Sequence, residues 1–136
     1  MSVPWAGVIG FPVRHSLSPD IFRAFSAALA RPLRYRTLAL RPERLGEALG
    51  KARSRRWIGW NVTLPHKVAV MGHLDETDPT AREVGAVNVV RFQDGRRMGY
   101  NTDVEGFLAP LARRGVELRG ARAVVLGAGG AARAVC

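Results

Sequence analysis

Asn61-Val62-Thr63-Leu64-Pro65-His66-Lys67 decides how the chain is read. It follows Ile58-Gly59-Trp60, a short apolar run that predicts a buried strand. Pro65 has no N–H to give a sheet ladder and is expected to stop that strand. An amide, a hydroxyl and an amine are therefore delivered together at a strand's carboxyl end, the edge of an open α/β sheet at which ligands bind. Lys67 also stands out by composition. Lys51 is the only other lysine, and the remaining basic residues are arginines. A compact amine suits proton transfer better than a guanidinium does.

Working outward, Trp5–Gly10 reads as a first buried strand. Ser18 is placed as a helix N-cap, with Pro19 at the first helical position and Ile21, Phe25, Ala28 and Leu29 recurring at helical spacing. Leu33 to Ala39 alternates and predicts a half-exposed strand. Pro42 opens a second helix with Leu45, Ala48, Leu49 and Ala52 on one face. Strand–helix–strand–helix–strand is the rhythm of an α/β fold with a mainly parallel sheet. Beyond Lys67 a short helix is expected to about Met71, then a loop over Asp75–Thr80 and a helical turn to Val84. Ala86–Phe92 reads as a strand, and Asp94-Gly95 signals a hairpin returning through Met98 to Tyr100. Asp103 is placed as the cap of a helix over Val104–Arg114, closed by Gly115. Ala121–Leu126 predicts a further buried strand leading into Gly127-Ala128-Gly129-Gly130-Ala131 and a helix.

The chain has 136 residues, 47% apolar and 24% charged, ordinary for a globular domain. No run approaches the ~18 apolar residues of a membrane span. One cysteine, Cys136, makes no internal disulfide, and a reducing cytoplasm is the expected location. Three scattered histidines offer no metal spacing. The net charge of +10 would suit a nucleic-acid module. Arg53-Ser54-Arg55-Arg56 is the one basic cluster, however, and no DNA or RNA motif accompanies it. The arginines read instead as a solvated face or an attraction for an anionic ligand.

Five segments carry chemistry. Strand, G-x-G-x-x-A and helix over 121–132 is a dinucleotide-binding pattern, its glycines allowing close approach to a pyrophosphate at a helix N-terminus. The acid or base that reads the ribose lies about 20 residues further on in such folds, beyond Cys136, so these residues choose neither NAD nor NADP. Ser16 and Ser18 flank a leucine ahead of a helix, a natural cradle for a carboxylate, although taken alone the pair reads rather as a cap at Ser18 and a solvated hydroxyl at Ser16. Asn61, Thr63 and Lys67 form a further group. Asn88 falls inside an apolar strand, where its amide needs partners or a ligand. Asn101-Thr102-Asp103 is the last.

Together these segments resemble the shikimate dehydrogenase family, over nearly the whole chain from Val8 to Val135. Ser-Leu-Ser-Pro at 16–19, Asn-Val-Thr-Leu-Pro-His-Lys at 61–67, Gly-Ala-Val-Asn at 85–88, Asn-Thr-Asp at 101–103 and Gly-Ala-Gly-Gly-Ala at 127–131 occur in the family's order and approximate spacing. The resemblance implies an α/β fold with a mainly parallel mixed sheet flanked by helices. Residues 1–103 would form the shikimate-binding catalytic domain. Residues 104–136 would form a linker helix and the first strand and glycine loop of a truncated Rossmann domain.

It implies an NADP-dependent oxidoreductase interconverting 3-dehydroshikimate and shikimate, on the route to chorismate and the aromatic amino acids. By that likeness Ser16 and Ser18 would hold the substrate carboxylate. Thr63, Asn88 and Asp103 would hold hydroxyls, with Asn61 nearby. Lys67 and Asp103 would be the catalytic pair, and Gly127, Ala128, Gly129, Gly130 and Ala131 would take the cofactor's phosphates. A homodimer is compatible with the family.

The family's chains are about twice as long, so this one is expected to be a truncated form that binds shikimate without turning it over. The rival readings are the NAD-using quinate/shikimate branch and a non-catalytic fragment that binds a shikimate-like ligand.

Overall fold

A computed structural model describes residues 2–52 and 57–136. The basic cluster at 53–56 therefore lies outside the described residues. Among the described residues six strands form one mixed sheet: β1 (Trp5–Gly10), β2 (Arg34–Ala39), β3 (Trp57–Val62), β4 (Glu76–Thr77), β5 (Val89–Gln93) and β6 (Arg96–Tyr100). Their order is β2-β1-β3-β5-β6-β4. Of these strands, β5 is the one that opposes its neighbours. It is antiparallel to both β3 and β6, while β1 runs parallel to β2 and β3, and β4 parallel to β6. The reversal comes from the hairpin at Asp94-Gly95, where both residues take positive φ, 51° and 72°. That pair of angles matches the twist of a tight hairpin.

The described helices are α1 (Ser18–Ala28), α2 (Leu45–Ala52), α3 (His66–Ala69), α4 (Pro79–Val84), α5 (Asp103–Arg113) and α6 (Gly130–Val135). A 3₁₀ turn, Pro42–Arg44, leads into α2, and another, Val70–His73, continues α3. The core lies on one face of the sheet. Ile9, Trp60 and Val62 meet Leu45, Leu49 and Ala52 of α2, together with Val70, Ala81, Val87 and Val90. The i, i+4, i+7 spacing of Leu45, Leu49 and Ala52 puts all three on the buried side. Asp75 closes the far edge. Its carboxylate takes the Arg97 guanidinium in a two-toothed grip at 2.9 and 3.0 Å and also the Arg97 amide at 2.7 Å.

Several expectations need correction. No strand forms over Ala121–Leu126, and Val124 and Leu126 are 88% and 94% exposed. A strand exists only by pairing, and no described segment offers this one a ladder. The loop expected over Asp75–Thr80 contains β4 and the start of α4, with Asp78 capping the Ala81 amide at 2.7 Å. The strand predicted from Ala86 begins only at Val89. β3 ends at Val62, three residues before Pro65, although Thr63 still donates to the Ile9 carbonyl at 3.0 Å. Ile58 is 48% exposed rather than buried.

Neither proposed cap is one. Ser18 opens α1 from within, and the hydroxyl that meets its amide, at 3.2 Å, belongs to Ser16. Asp103 is already helical, and the Asn101 side chain accepts from the amides of Asp103 and Val104 at 3.0 and 3.4 Å. Ile21, Phe25 and Leu29 recur as a helical stripe, but the stripe is exposed.

Candidate active site

All seven predicted polar residues line one cleft of about 430 Å³ on the sheet face opposite the core: Ser16, Ser18, Asn61, Thr63, Lys67, Asn88 and Asp103. Three pieces of local structure bring them there. The register of β1 with β3 sets Val8 beside Asn61, so the cleft floor lies at the carboxyl ends of two parallel strands. The turn from β3 to α3 then presents consecutive residues in opposite directions. His66 is wholly buried with Nε2 2.7 Å from the Leu40 carbonyl, while Lys67 turns into the cleft. Finally, Asn88 bridges strands through its backbone. Its carbonyl accepts from the Val62 amide at 2.7 Å and its amide donates to the Tyr100 carbonyl at 3.0 Å. That leaves the side chain for the site.

Lys67 Nζ donates to Asp103 Oδ2 at 2.6 Å. The Asn88 side-chain amide donates to Asp103 Oδ1 and to Thr102 Oγ1, each at 2.9 Å, and its own oxygen accepts from the Thr102 amide at 2.9 Å. Both oxygens of the Asp103 carboxylate are thus held, in the first turn of α5, where the helix dipole favours negative charge. The lysine and aspartate side chains remain 17% and 29% exposed, so each still faces the cleft. An ammonium carries three protons and only one is spent on the carboxylate. At the other end of the cleft Ser16 Oγ donates to Ser18 Oγ at 3.0 Å. The two hydroxyls thus stand side by side on the cleft lining, where each can rotate to donate to a carboxylate.

Two contributors escaped the sequence reading. Tyr35 donates its hydroxyl to Asn61 Oδ1 at 2.7 Å, which turns the Asn61 NH₂ group away from β2. Phe22 lines the cleft and stacks on the Tyr35 ring, with centroids 4.2 Å apart and planes 12° apart. Burial pushes the Tyr35 phenol up to about 12, with the Ser18 side chain pulling the other way. The in–out alternation of β2 marked Tyr35 as half-buried but gave no sign of its partner. Phe22 was missed because Ile21 and Phe25 looked like the inward face of α1.

The glycine loop sits beside this site. Gly127 takes φ +121°, and Gly129 precedes α6, whose first turn packs onto Lys67. An added Cβ at Gly129 would meet nothing within 4 Å, so the loop is open on that side. Exposed glycine backbone at the start of a helix suits a phosphate-bearing cofactor, and the residues present fit one.

The profile of the shikimate dehydrogenase substrate-binding domain matches residues 8–90. The chain belongs to the shikimate dehydrogenase family. The NADP(+)-dependent shikimate dehydrogenase of Symbiobacterium thermophilum is 50% identical over 129 residues, 95% of this chain and 44% of that protein. Shikimate dehydrogenase 1 of Peptoclostridium difficile superposes with a TM-score of 0.94 at 31% identity, over 98% of this chain and 49% of its own. Shikimate 5-dehydrogenase of Thermus thermophilus in complex with shikimate superposes at 0.90 with 42% identity, over 98% and 51%. This family member thus spans about half the length of the relatives it matches. Among its described residues no helix is long and apolar enough to cross a membrane.

Proposed function

We propose that this chain carries the substrate-binding and proton-transferring half of an NADP-dependent shikimate dehydrogenase, which interconverts 3-dehydroshikimate and shikimate. The observation that supports this most is the Lys67–Asp103 pair set in a cleft whose other polar groups are hydroxyls and amides. Shikimate is a carboxylate ringed with hydroxyls, and a site for it calls for such groups and few others. Ser16 and Ser18 take the carboxylate. Thr63, Asn88 and Asp103, with Asn61 beside them, take the hydroxyls.

Residues 1–103 form the substrate unit and 104–136 the linker helix and the start of the cofactor unit. Gly127 to Ala131 hold the phosphates of NADP, which when bound supplies or accepts the hydride. What this chain supplies is the proton. Lys67 as ammonium hands one to the oxygen that becomes the shikimate hydroxyl and, as amine, removes it in the reverse direction. Asp103 fixes where the amine points, and Asn88 fixes Asp103. Positioning of this kind accounts for a large part of the gain in such reactions.

Calorimetric titration of the 136-residue chain with shikimate tests the reading. Saturable binding is expected, weakened about tenfold or more by Ser16→Ala, since a hydrogen bond to a charged group contributes about 1.5–3 kcal/mol. Absence of any heat or thermal shift with shikimate would contradict it. So would a Ser16→Ala chain that binds as tightly as the parent.

A further inference from the structure

The glycine loop makes a contact that phosphate binding does not require. A Cβ built on Gly130 would lie 2.7 Å from the Cβ of Lys67, 3.2 Å from its Cδ and 3.4 Å from the Cβ of Ala86. The first distance is shorter than any real pair of carbons tolerates, and the atom concerned is the root of the lysine side chain. It cannot swing aside, because the Lys67 carbonyl is tied to the Val87 amide at 2.7 Å. Gly130 lies inside α6, where alanine is conformationally welcome, so glycine is needed there for space rather than for dihedral freedom. Gly127 and Gly129 differ. The first has a positive φ, and the second has open space around it.

The same helix also reaches the segment that carries Asn88. Arg133 donates to the Gly85 carbonyl at 3.4 Å, and Ala134 is 7% exposed. Gly85 is the left-handed stop of α4, directly ahead of Ala86-Val87-Asn88. α6 therefore rests on both carriers of the site: the stem of Lys67 and the strand entry that aims Asn88 at Asp103.

We propose that Gly130 is a positioning residue for Lys67. By lacking a side chain it lets α6 sit against the lysine stem and hold the ammonium on Asp103, so the glycine loop shapes the substrate side of the cleft as well as the cofactor side. The shikimate arm of the test rests on the function proposed above; the other two arms do not.

The test uses the 136-residue chain without any cofactor. Amine acetylation followed by mass spectrometry compares Lys67 with Lys51, whose side chain is 63% exposed. Gly130→Ala is expected to raise the Lys67 rate severalfold against Lys51 and to weaken shikimate binding about tenfold, the size of a lost hydrogen bond to a charged group. Gly106→Ala, at an exposed position of α5 with nothing within 4 Å of an added Cβ, is expected to move neither quantity. A Gly130→Ala chain with parental Lys67 reactivity and parental shikimate affinity overturns the proposal. If the parent does not bind shikimate but Lys67 reactivity still responds to Gly130→Ala, the function fails and the positioning role stands.

Thermal unfolding covers a poorly folded variant. The loss of Tm from Gly130→Ala should largely vanish when Lys67→Gly removes the atoms it strikes, because contacting residues are non-additive. Strictly additive losses would also overturn the proposal.

Discussion

Lys67 Nζ and Asp103 Oδ2 stand 2.6 Å apart across 36 positions of sequence. The turn after β3 supplies one and the first turn of α5 the other. Neither is near the other until the sheet is assembled, so the pair is a product of the strand order β1-β3-β5-β6. Asn88, at the mouth of β5, completes it from between the two. The site therefore reports on the fold as a whole, and changes in its supports should be readable in both stability and ligand binding.

Asn88 is the first such support. Asn88→Ala removes the partners of Asp103 Oδ1, Thr102 Oγ1 and the Thr102 amide together. Thermal unfolding should show a loss of about 1–3 kcal/mol, and shikimate titration a weaker complex. Asn88→Asp should weaken binding further, because a second carboxylate would face Asp103. Parental behaviour in both assays would remove Asn88 from the site.

Asn101 is the second, and it acts on the helix rather than the ligand. It is 5% exposed, accepts from the first amides of α5 and donates to the Ala86 carbonyl at 2.9 Å. Asn101→Ala should cost about 1–3 kcal/mol on denaturant unfolding through the groups left unpaired. Asn101→Asp should retain part of that, since its carboxylate still accepts from the helix amides.

Tyr35 makes a pH prediction. Its folded value of about 12 lies above the ordinary 10.0, burial being the main cause. As pH rises the unfolded chain releases this proton first. The stability tied to it is therefore complete below about pH 10 and drains away on the approach to 12. Tyr35→Phe should flatten that part of the stability–pH curve and remove a phenolate absorbance step near pH 12. A parent with no absorbance step near pH 12 that Tyr35→Phe removes would contradict the burial of the Tyr35 hydroxyl.

How much of this was legible beforehand follows from how local each signal is. β1 was readable as a continuous apolar run, and the α2 stripe of Leu45, Leu49 and Ala52 because helical spacing determines which side is buried. The hairpin was readable because Asp94-Gly95 favours the positive φ that both residues take. Asn101 was passed over in favour of Asp103 because both residues cap well in isolation, and only Lys67 and Asn88 decide which of them is occupied elsewhere. The exposed stripe of α1 and the missing strand at Ala121–Leu126 share one cause. Apolar patterning shows that a segment can be buried, whereas burial itself needs a partner, and the described residues offer none. The seven cleft residues were found through the order of five motifs. Tyr35 and Phe22 belong to no motif, and nothing but the fold places Phe22 in the cleft and Tyr35 behind Asn61.

Steady-state kinetics of Lys67→Ala in an enzyme of the relatives' full length tests the central claim most directly. With shikimate and NADP, kcat is expected to fall about 10²–10⁴-fold, the usual contribution of a positioned acid–base group, while KM for shikimate changes by much less. A kcat within a few fold of the parent would contradict the account and leave the ion pair with Asp103 a structural contact only.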